Sequence, residues 1–303
     1  MKIEVRKLFS MEGHQDCVYG LSPGAAPYYV YSAGGDGMVV QWNLNDPENG
    51  HLVAKMNNAV YALCYEPHSK LLLVGQNYEG VHFLDTTTSK EIAAVPISNE
   101  RIFDIKQYRN HVFVGSADGT LYVLDFERKA LLKTMKLSDK SIRVMSINRE
   151  LGHLAIGLSD NTIRIIDLQN LQPKHLISAH KLSVFALAYD PNTNNLISGS
   201  RDAHLKFWFG SDSYRFSHSI VAHMFAINSI SLDFSGKYFV SCSMDKSIKV
   251  WDLGSGQLLK VIDKSRHAGH ATSVNKVLWT NHKNLVVSCS DDRKVSVWEL
   301  GFK

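Results

Sequence analysis

Short runs of alternating apolar and polar residues, separated by turn residues, continue along the whole chain. In one stretch the runs cover residues 227–232, 238–243, 248–251 and 258–262, and they are rich in β-branched and aromatic side chains. Gly, Asp, Asn and Ser separate the runs, and no segment shows helical periodicity at convincing length. This pattern is typical of short strands joined by tight turns, so it predicts an all-β protein.

The same unit repeats along the chain. A His, an Asp 22 residues later and a Trp six residues after that recur four times, with a Ser four residues before each Asp. The four sets are His14, Ser32, Asp36 and Trp42; His180, Ser198, Asp202 and Trp208; His223, Ser241, Asp245 and Trp251; and His270, Ser288, Asp292 and Trp298. Three weaker copies align on positions 78, 118 and 160. The turn positions near 36, 78, 118, 160, 202, 245 and 292 therefore define seven units, 40 to 47 residues apart.

The segments Ile248-Lys249-Val250-Trp251-Asp252 and Val295-Ser296-Val297-Trp298-Glu299 resemble the closing strand of WD40 repeats. The resemblance covers essentially the whole chain, and it implies a seven-bladed WD40 β-propeller with four antiparallel strands per blade. It also implies that residues 1–303 form a single propeller domain. The seventh unit ends after its third strand, so we expect the N-terminal segment to supply the last strand of that blade and close the ring.

The recurring Ser, His and Asp have two interpretations. Resemblance to the family implies one buried hydrogen-bond chain in each strong unit, running from the Trp indole through Ser and His to Asp. A nucleophilic triad would instead need one copy in a cleft, with an exposed serine. Here the set occurs four times and its serine lies in the middle of a strand, so we interpret it as structural. We predict no catalytic residue, no cofactor and no enzymatic activity.

Binding in such propellers uses the face formed by the loops that enter the innermost strands and by the Asp-bearing turns. Three positions per unit are expected there: three and five residues after the His position, and the residue before the turn position. The residues predicted to contact a partner are Tyr19, Tyr61, Arg101, Phe103, Arg143, Phe185, Arg201, Asn228, Met244 and Asn275. Aromatic and Arg side chains are enriched at protein–protein hot spots, and guanidinium groups favour an acidic or phosphorylated peptide. Packing of the axial channel by the aromatic side chains remains an alternative.

Composition limits the other possibilities. The net charge of +4 is not concentrated in a basic run, which argues against direct nucleic-acid binding. No stretch has the roughly 20 apolar residues of a membrane helix, and the N-terminus does not resemble a signal peptide, so we expect a cytoplasmic protein without membrane contact. The four cysteines lack metal or disulfide spacing and are expected to be reduced thiols.

A loop at residues 263–269 accounts for the longest spacing between turn positions and carries two cations and His267. It is either a functional insertion or a solvated loop. His267 and His270 do not form a convincing metal pair, because His270 already occupies a structural position and no third ligand is near in sequence. We therefore predict no metal site.

The leading functional hypothesis is a non-catalytic scaffold that binds a peptide or partner domain on this face of the propeller. One alternative is an RNA- or DNA-associated subunit of a nucleoprotein complex, which a steep salt dependence would reveal. The other is an enzyme that uses the central channel. Among all residues at the three positions per unit expected on this face, Asp291 is the one acid. This disfavours an enzyme, because such sites need converging carboxylates, a metal or a nucleophile.

Overall fold

The computed structural model describes residues 3–302. After the opening strand β1 (Ile3–Met11), the chain forms consecutive groups of four strands. The first three groups are β2 (Val18–Pro23), β3 (Tyr29–Gly34), β4 (Met38–Asn43), β5 (Asp46–Lys55); β6 (Val60–Glu66), β7 (Leu71–Gln76), β8 (Gly80–Asp85), β9 (Lys90–Pro96); and β10 (Ile102–Tyr108), β11 (His111–Ser116), β12 (Thr120–Asp125), β13 (Ala130–Lys136).

Three more groups of the same kind follow, and the last group contains only three strands. The next three are β14 (Ile142–Asn148), β15 (His153–Leu158), β16 (Thr162–Asp167), β17 (Pro173–Ser178); β18 (Val184–Tyr189), β19 (Leu196–Ser200), β20 (His204–Phe209), β21 (Arg215–Val221); and β22 (Ile227–Leu232), β23 (Tyr238–Ser243), β24 (Ile248–Asp252), β25 (Leu258–Ile262). A four-residue helix, α1 (Lys264–His267), precedes β26 (Val274–Trp279), β27 (Val286–Ser290) and β28 (Val295–Phe302). No helix within residues 3–302 is long and apolar enough to span a bilayer.

With β1 added to the last group, the groups form seven four-stranded antiparallel sheets, which are blades 1 to 7 in chain order. In blade 7, β1 supplies the outermost strand and pairs antiparallel with β28, with Ile3 opposite Phe302 and Met11 opposite Val295. The innermost strands contact one another in sequence, and β26 returns to contact β2. The predicted seven-bladed propeller, closed by its N-terminal strand, is confirmed.

The hydrophobic core lies between the blades. Within residues 3–302, seven clusters of buried side chains each combine residues from two neighbouring blades. Between blades 3 and 4, for example, Phe113 packs in the same cluster as Leu154. This layering makes the ring rigid, because each sheet has both of its faces covered.

Every innermost strand contains a β-bulge. In blade 1, Val18 pairs with Gly34 and Gly20 pairs with Ala33, so Tyr19 is skipped. The skipped residues in the seven blades are Tyr19, Tyr61, Phe103, Arg143, Phe185, Asn228 and Asn275. A bulged residue leaves the alternation of the strand, and its side chain is aimed differently from those of its neighbours. The fold therefore places one such side chain per blade around the axis.

Candidate functional site

A cavity of about 300 Å³ opens at one end of the axial channel, and we call it the mouth cavity. Its wall is formed by Tyr19, Tyr61, Arg101, Phe103, Arg143, Phe185, Asn228, Asn275 and Lys276. Eight of these nine residues belong to the predicted partner-binding set. All seven bulged residues are among them, so the repeated bulge builds the cavity.

Aromatic rings and a guanidinium form an arc along the wall. The ring centroids of Tyr19 and Tyr61 are 4.6 Å apart, and those of Tyr61 and Phe103 are 5.6 Å apart. The guanidinium carbon of Arg143 lies 4.0 Å from the Phe103 centroid and 4.8 Å from that of Phe185. These are cation–π distances, and the stacking holds the guanidinium plane in a fixed orientation. The rings pack on one another and also line the open cavity, so their packing in the channel does not remove them from its wall.

Positive charge in the mouth cavity is not balanced by its wall. Three of the lining residues are cations, and none is a carboxylate. Among residues 3–302, no hydrogen-bond acceptor or acid pairs with Arg143, and burial lowers the pKa of its guanidinium. Arg101 is exposed, and its Nε donates to the Tyr78 hydroxyl at 3.1 Å. The mouth is therefore an electropositive opening between rigid rings.

The two asparagines of the predicted set tie adjacent blades together. Asn228 Nδ2 donates to the carbonyl of Val274 at 2.9 Å. Asn275 Nδ2 donates to the carbonyl of Val18 at 2.9 Å and to Asp291 Oδ1 at 2.7 Å. Blades 6, 7 and 1 are thereby linked at the mouth, so these amides hold the shape of the cavity in addition to lining it.

The remaining two residues of the set, Arg201 and Met244, do not line the mouth cavity. They lie at the turns of blades 5 and 6, and their side chains are exposed. The backbone N–H of Met244 donates to the carbonyl of Ala226, next to the exposed Phe225. Arg201 and Met244 therefore belong to the outer part of this face.

The repeated Ser, His, Asp and Trp residues form a hydrogen-bond chain in each of the four blades that carry them. In blade 1, Trp42 Nε1 donates to Ser32 Oγ at 2.8 Å, Ser32 Oγ lies 2.7 Å from His14 Nε2, and His14 Nδ1 lies 3.0 Å from Asp36 Oδ2. The serine accepts from the indole, so its own proton goes to Nε2 and the imidazole proton on Nδ1 goes to the carboxylate.

The other three chains have the same connections at similar distances. Trp to Ser is 2.8–2.9 Å, Ser to His is 2.7–2.8 Å, and His to Asp is 2.9–3.1 Å. All four serines are fully buried. A buried serine that already hydrogen bonds to an indole and an imidazole is not available to attack a substrate, so this geometry gives no support to a nucleophilic triad.

The charge states in these chains follow from burial and hydrogen bonding. Burial lowers the pKa of His14, His180 and His223, which keeps these imidazoles neutral. Burial alone would raise the pKa of Asp36, but the backbone N–H groups of Gln15 and Met38, with His14, lower it below its usual value. In blades 1, 5 and 6, the chain thus joins a neutral ring to an ionised carboxylate.

The loop at residues 263–269 is held by its own contacts. The Arg266 guanidinium pairs with Asp263 Oδ2 at 2.5 Å, and Lys7 Nζ on β1 donates to the carbonyl of Ala268 at 3.0 Å. One of its two cations is therefore already paired within the loop. Across residues 3–302, no three His, Cys, Asp or Glu side chains are placed to hold a metal ion.

Lys276 lines the mouth cavity but was missed by the sequence reasoning. It follows the bulged residue of blade 7, six residues after His270. The same position in the other blades holds Gly20, Ala62, Asp104, Val144, Ala186 and Ser229. A long cation among mostly small residues was the available signal.

The comparisons with known proteins agree with this architecture. The family model described as WD domain, G-beta repeat (WD40) matches residues 5–43, 171–208, 214–252 and 259–299, which together exceed half of the chain. The chain therefore belongs to the WD40 repeat family.

Among similar proteins, THO complex subunit 3 of Arabidopsis thaliana is 25% identical over 294 residues, covering 94% of this chain and 90% of that protein. Striatin-4 of Homo sapiens is 25% identical over 276 residues, which cover 82% of this chain but 36% of striatin-4. The crystal structure of the WD40 β-propeller domain of Doa1 superposes with a TM-score of 0.84 at 20% identity, covering 98% of this chain and 97% of that one. This last likeness concerns the fold alone.

Proposed function

We propose that this protein is a non-catalytic interaction platform that holds a peptide or partner domain at the mouth cavity. The observation that carries the proposal is the wall itself, which combines four aromatic rings, three cations and no carboxylate around an opening of about 300 Å³. Rigid rings and oriented guanidinium groups are the side chains that contribute most to protein–protein binding.

The rigidity of the wall favours binding because little side-chain entropy is lost when a partner docks. Arg143 is held between Phe103 and Phe185, and the asparagines of blades 6 and 7 are fixed by backbone carbonyls. The positive charge favours a partner with acidic or phosphorylated side chains. One of the similar proteins is named as a subunit of a complex, which agrees with a role in assembly.

Affinity purification from the native organism tests the proposal. The triple variant Phe103→Ala, Arg143→Ala and Phe185→Ala removes three adjacent wall residues. The control variant Leu131→Ala, Leu132→Ala and Leu176→Ala removes three exposed apolar side chains from outermost strands. We expect the wall variant to lose its co-purifying proteins and the control variant to keep them.

Unchanged recovery with the wall variant contradicts the proposal, provided that its melting temperature shows a folded protein. Recovery of nucleic acid, with binding that weakens steeply and linearly on a log–log plot against salt, would support the nucleoprotein alternative instead.

A further inference from the structure

Lys276 lies where two cavities of the axial channel meet. It lines the mouth cavity, and it also lines a second cavity of about 430 Å³ further along the channel, which we call the lower cavity. Phe185 and Asn228 are the other two residues common to both walls. The Lys276 side chain is therefore reached through the mouth, past the aromatic arc.

The Lys276 ammonium has no partner in the part of the chain that the structure describes. No carboxylate within residues 3–302 is at ion-pair distance, and no acceptor hydrogen bonds to its Nζ. The acid that attracts it most is Asp104, which is already engaged by Lys106 Nζ at 2.9 Å and by the amide of Met145 at 2.7 Å. Burial accordingly lowers the pKa of Lys276.

A partly buried cation without a counter-ion destabilises a folded protein, so its presence needs an explanation. Arg143, on the wall of the mouth cavity, is also unpaired within residues 3–302. Neither cavity has a carboxylate in its wall. An ammonium and a planar guanidinium on the wall of one cavity offer N–H donors of the kind that bind oxyanions, while the aromatic rings of the same wall suit an apolar stem.

We infer that Lys276 binds a carboxylate or phosphate group carried by the partner peptide, which enters through the mouth cavity past Arg143. This inference rests on the proposed function and specifies the chemistry that the platform recognises. The anion supplies the counter-charge that the propeller lacks, so recognition and neutralisation of the channel occur in one step.

Titration of the purified protein with inorganic phosphate, monitored by its amide chemical shifts, tests anion binding at Lys276 directly. Lys276→Met removes the charge and keeps the stem, Lys276→Arg keeps a cation, and Lys181→Met removes an exposed charge next to His180. We expect saturable shifts in wild type, Lys181→Met and Lys276→Arg, and at least tenfold weaker binding in Lys276→Met. Equal binding by Lys276→Met, or no binding by wild type up to about 50 mM phosphate, overturns the inference.

Two further measurements separate this inference from the platform proposal. Lys276→Met is expected to melt at or above the wild-type temperature, since it removes an unpaired, partly buried charge. A loss of phosphate binding in this variant therefore cannot be ascribed to unfolding. In the affinity purification, Lys276→Met is expected to recover less partner than Lys181→Met. If Lys276→Met no longer binds phosphate but recovers partner proteins normally, the site at Lys276 binds a free anion and the inference is overturned. The platform proposal would then still be tested by the wall variant.

Discussion

Blades 1, 5, 6 and 7 and blades 2, 3 and 4 build the same four-stranded sheet with different interiors. In the first group, which we call the polar blades, a buried Ser joins His and Trp. In the second group, the apolar blades, the Ser position holds Val74, Val114 or Ile156 and the Trp position holds Leu84, Leu124 or Ile166. All six of these aliphatic side chains are buried. The sheet itself therefore does not require the hydrogen-bond chain.

The hydrogen-bond chain of a polar blade connects two loops of that blade. In blade 1, Asp36 accepts from His14 and also from the backbone N–H of Gln15, so the turn and the loop entering the blade are fixed to each other and to the core. An apolar blade can connect the same two loops with a single hydrogen bond. In blade 4, Ser138 occupies the His position and its Oγ donates to Asp160 Oδ2 at 2.7 Å. The difference teaches that the polar hydrogen-bond chain fixes the loops of the face that bears the mouth cavity, and that its parts depend on one another.

The largest effect is expected from giving a polar blade the Ser-position residue of an apolar blade. Ser241→Val should lower the free energy of unfolding by about 2–5 kcal/mol, because it leaves Trp251 Nε1 and His223 Nε2 buried without partners. Urea denaturation measures the change. A variant as stable as wild type would show that the hydrogen-bond chain contributes nothing to the interior.

A smaller effect is expected at the His position. His223→Ala should cost about 1–3 kcal/mol, because Ser241 and Asp245 both lose a buried partner. Ser138→Ala in blade 4 is the matched control, and it should cost only about 0.5–1.5 kcal/mol, because one hydrogen bond is removed. An unchanged melting curve for His223→Ala, or a larger loss for Ser138→Ala, would contradict the comparison.

The polar blades should also make stability depend on pH. Because the pKa values of His14, His180 and His223 are lowered by folding, the native protein binds fewer protons than the unfolded chain as pH falls through about 6.5. The contribution of these histidines to the free energy of unfolding is therefore complete above that pH and is lost on acidification. Denaturation at pH 7.5, 6.5 and 5.5 should show the decline, and His223→Ala should reduce its slope by up to about 1.4 kcal/mol per pH unit. Identical slopes in the two proteins would argue against a buried neutral His223.

Most of the fold was predictable from the repeat, because a spacing of 40–47 residues with turn signals between short strands leaves few alternatives. Closure by the N-terminal strand followed from the missing strand of the seventh unit. The hydrogen bond between Ser138 and Asp160 was not predicted, although the two residues keep the 22-residue spacing of the His and Asp positions. A short hydroxyl side chain can replace the imidazole there because it reaches the carboxylate directly.

The candidate site was predictable at the seven bulged positions and at Arg101, but not at Lys276. The bulged residues all reached the mouth cavity, whereas Arg201 and Met244 lie further out on the turns. Lys276 was missed because strict alternation along a strand would send the residue after Asn275 to the opposite side. The bulge breaks that alternation, so two consecutive side chains line the channel. The unusual residue type at position 276 was a signal, but the backbone register is what places its side chain in the channel.

Site-specific photo-crosslinking in the native organism tests the location of the binding surface most directly. A photoreactive phenylalanine analogue would replace Phe103 in the wall of the mouth cavity or Leu131 on the outermost strand of the same blade. We expect a covalent adduct with a partner protein from position 103 and none from position 131. An adduct from position 131 with none from position 103 would contradict a binding surface at the channel mouth.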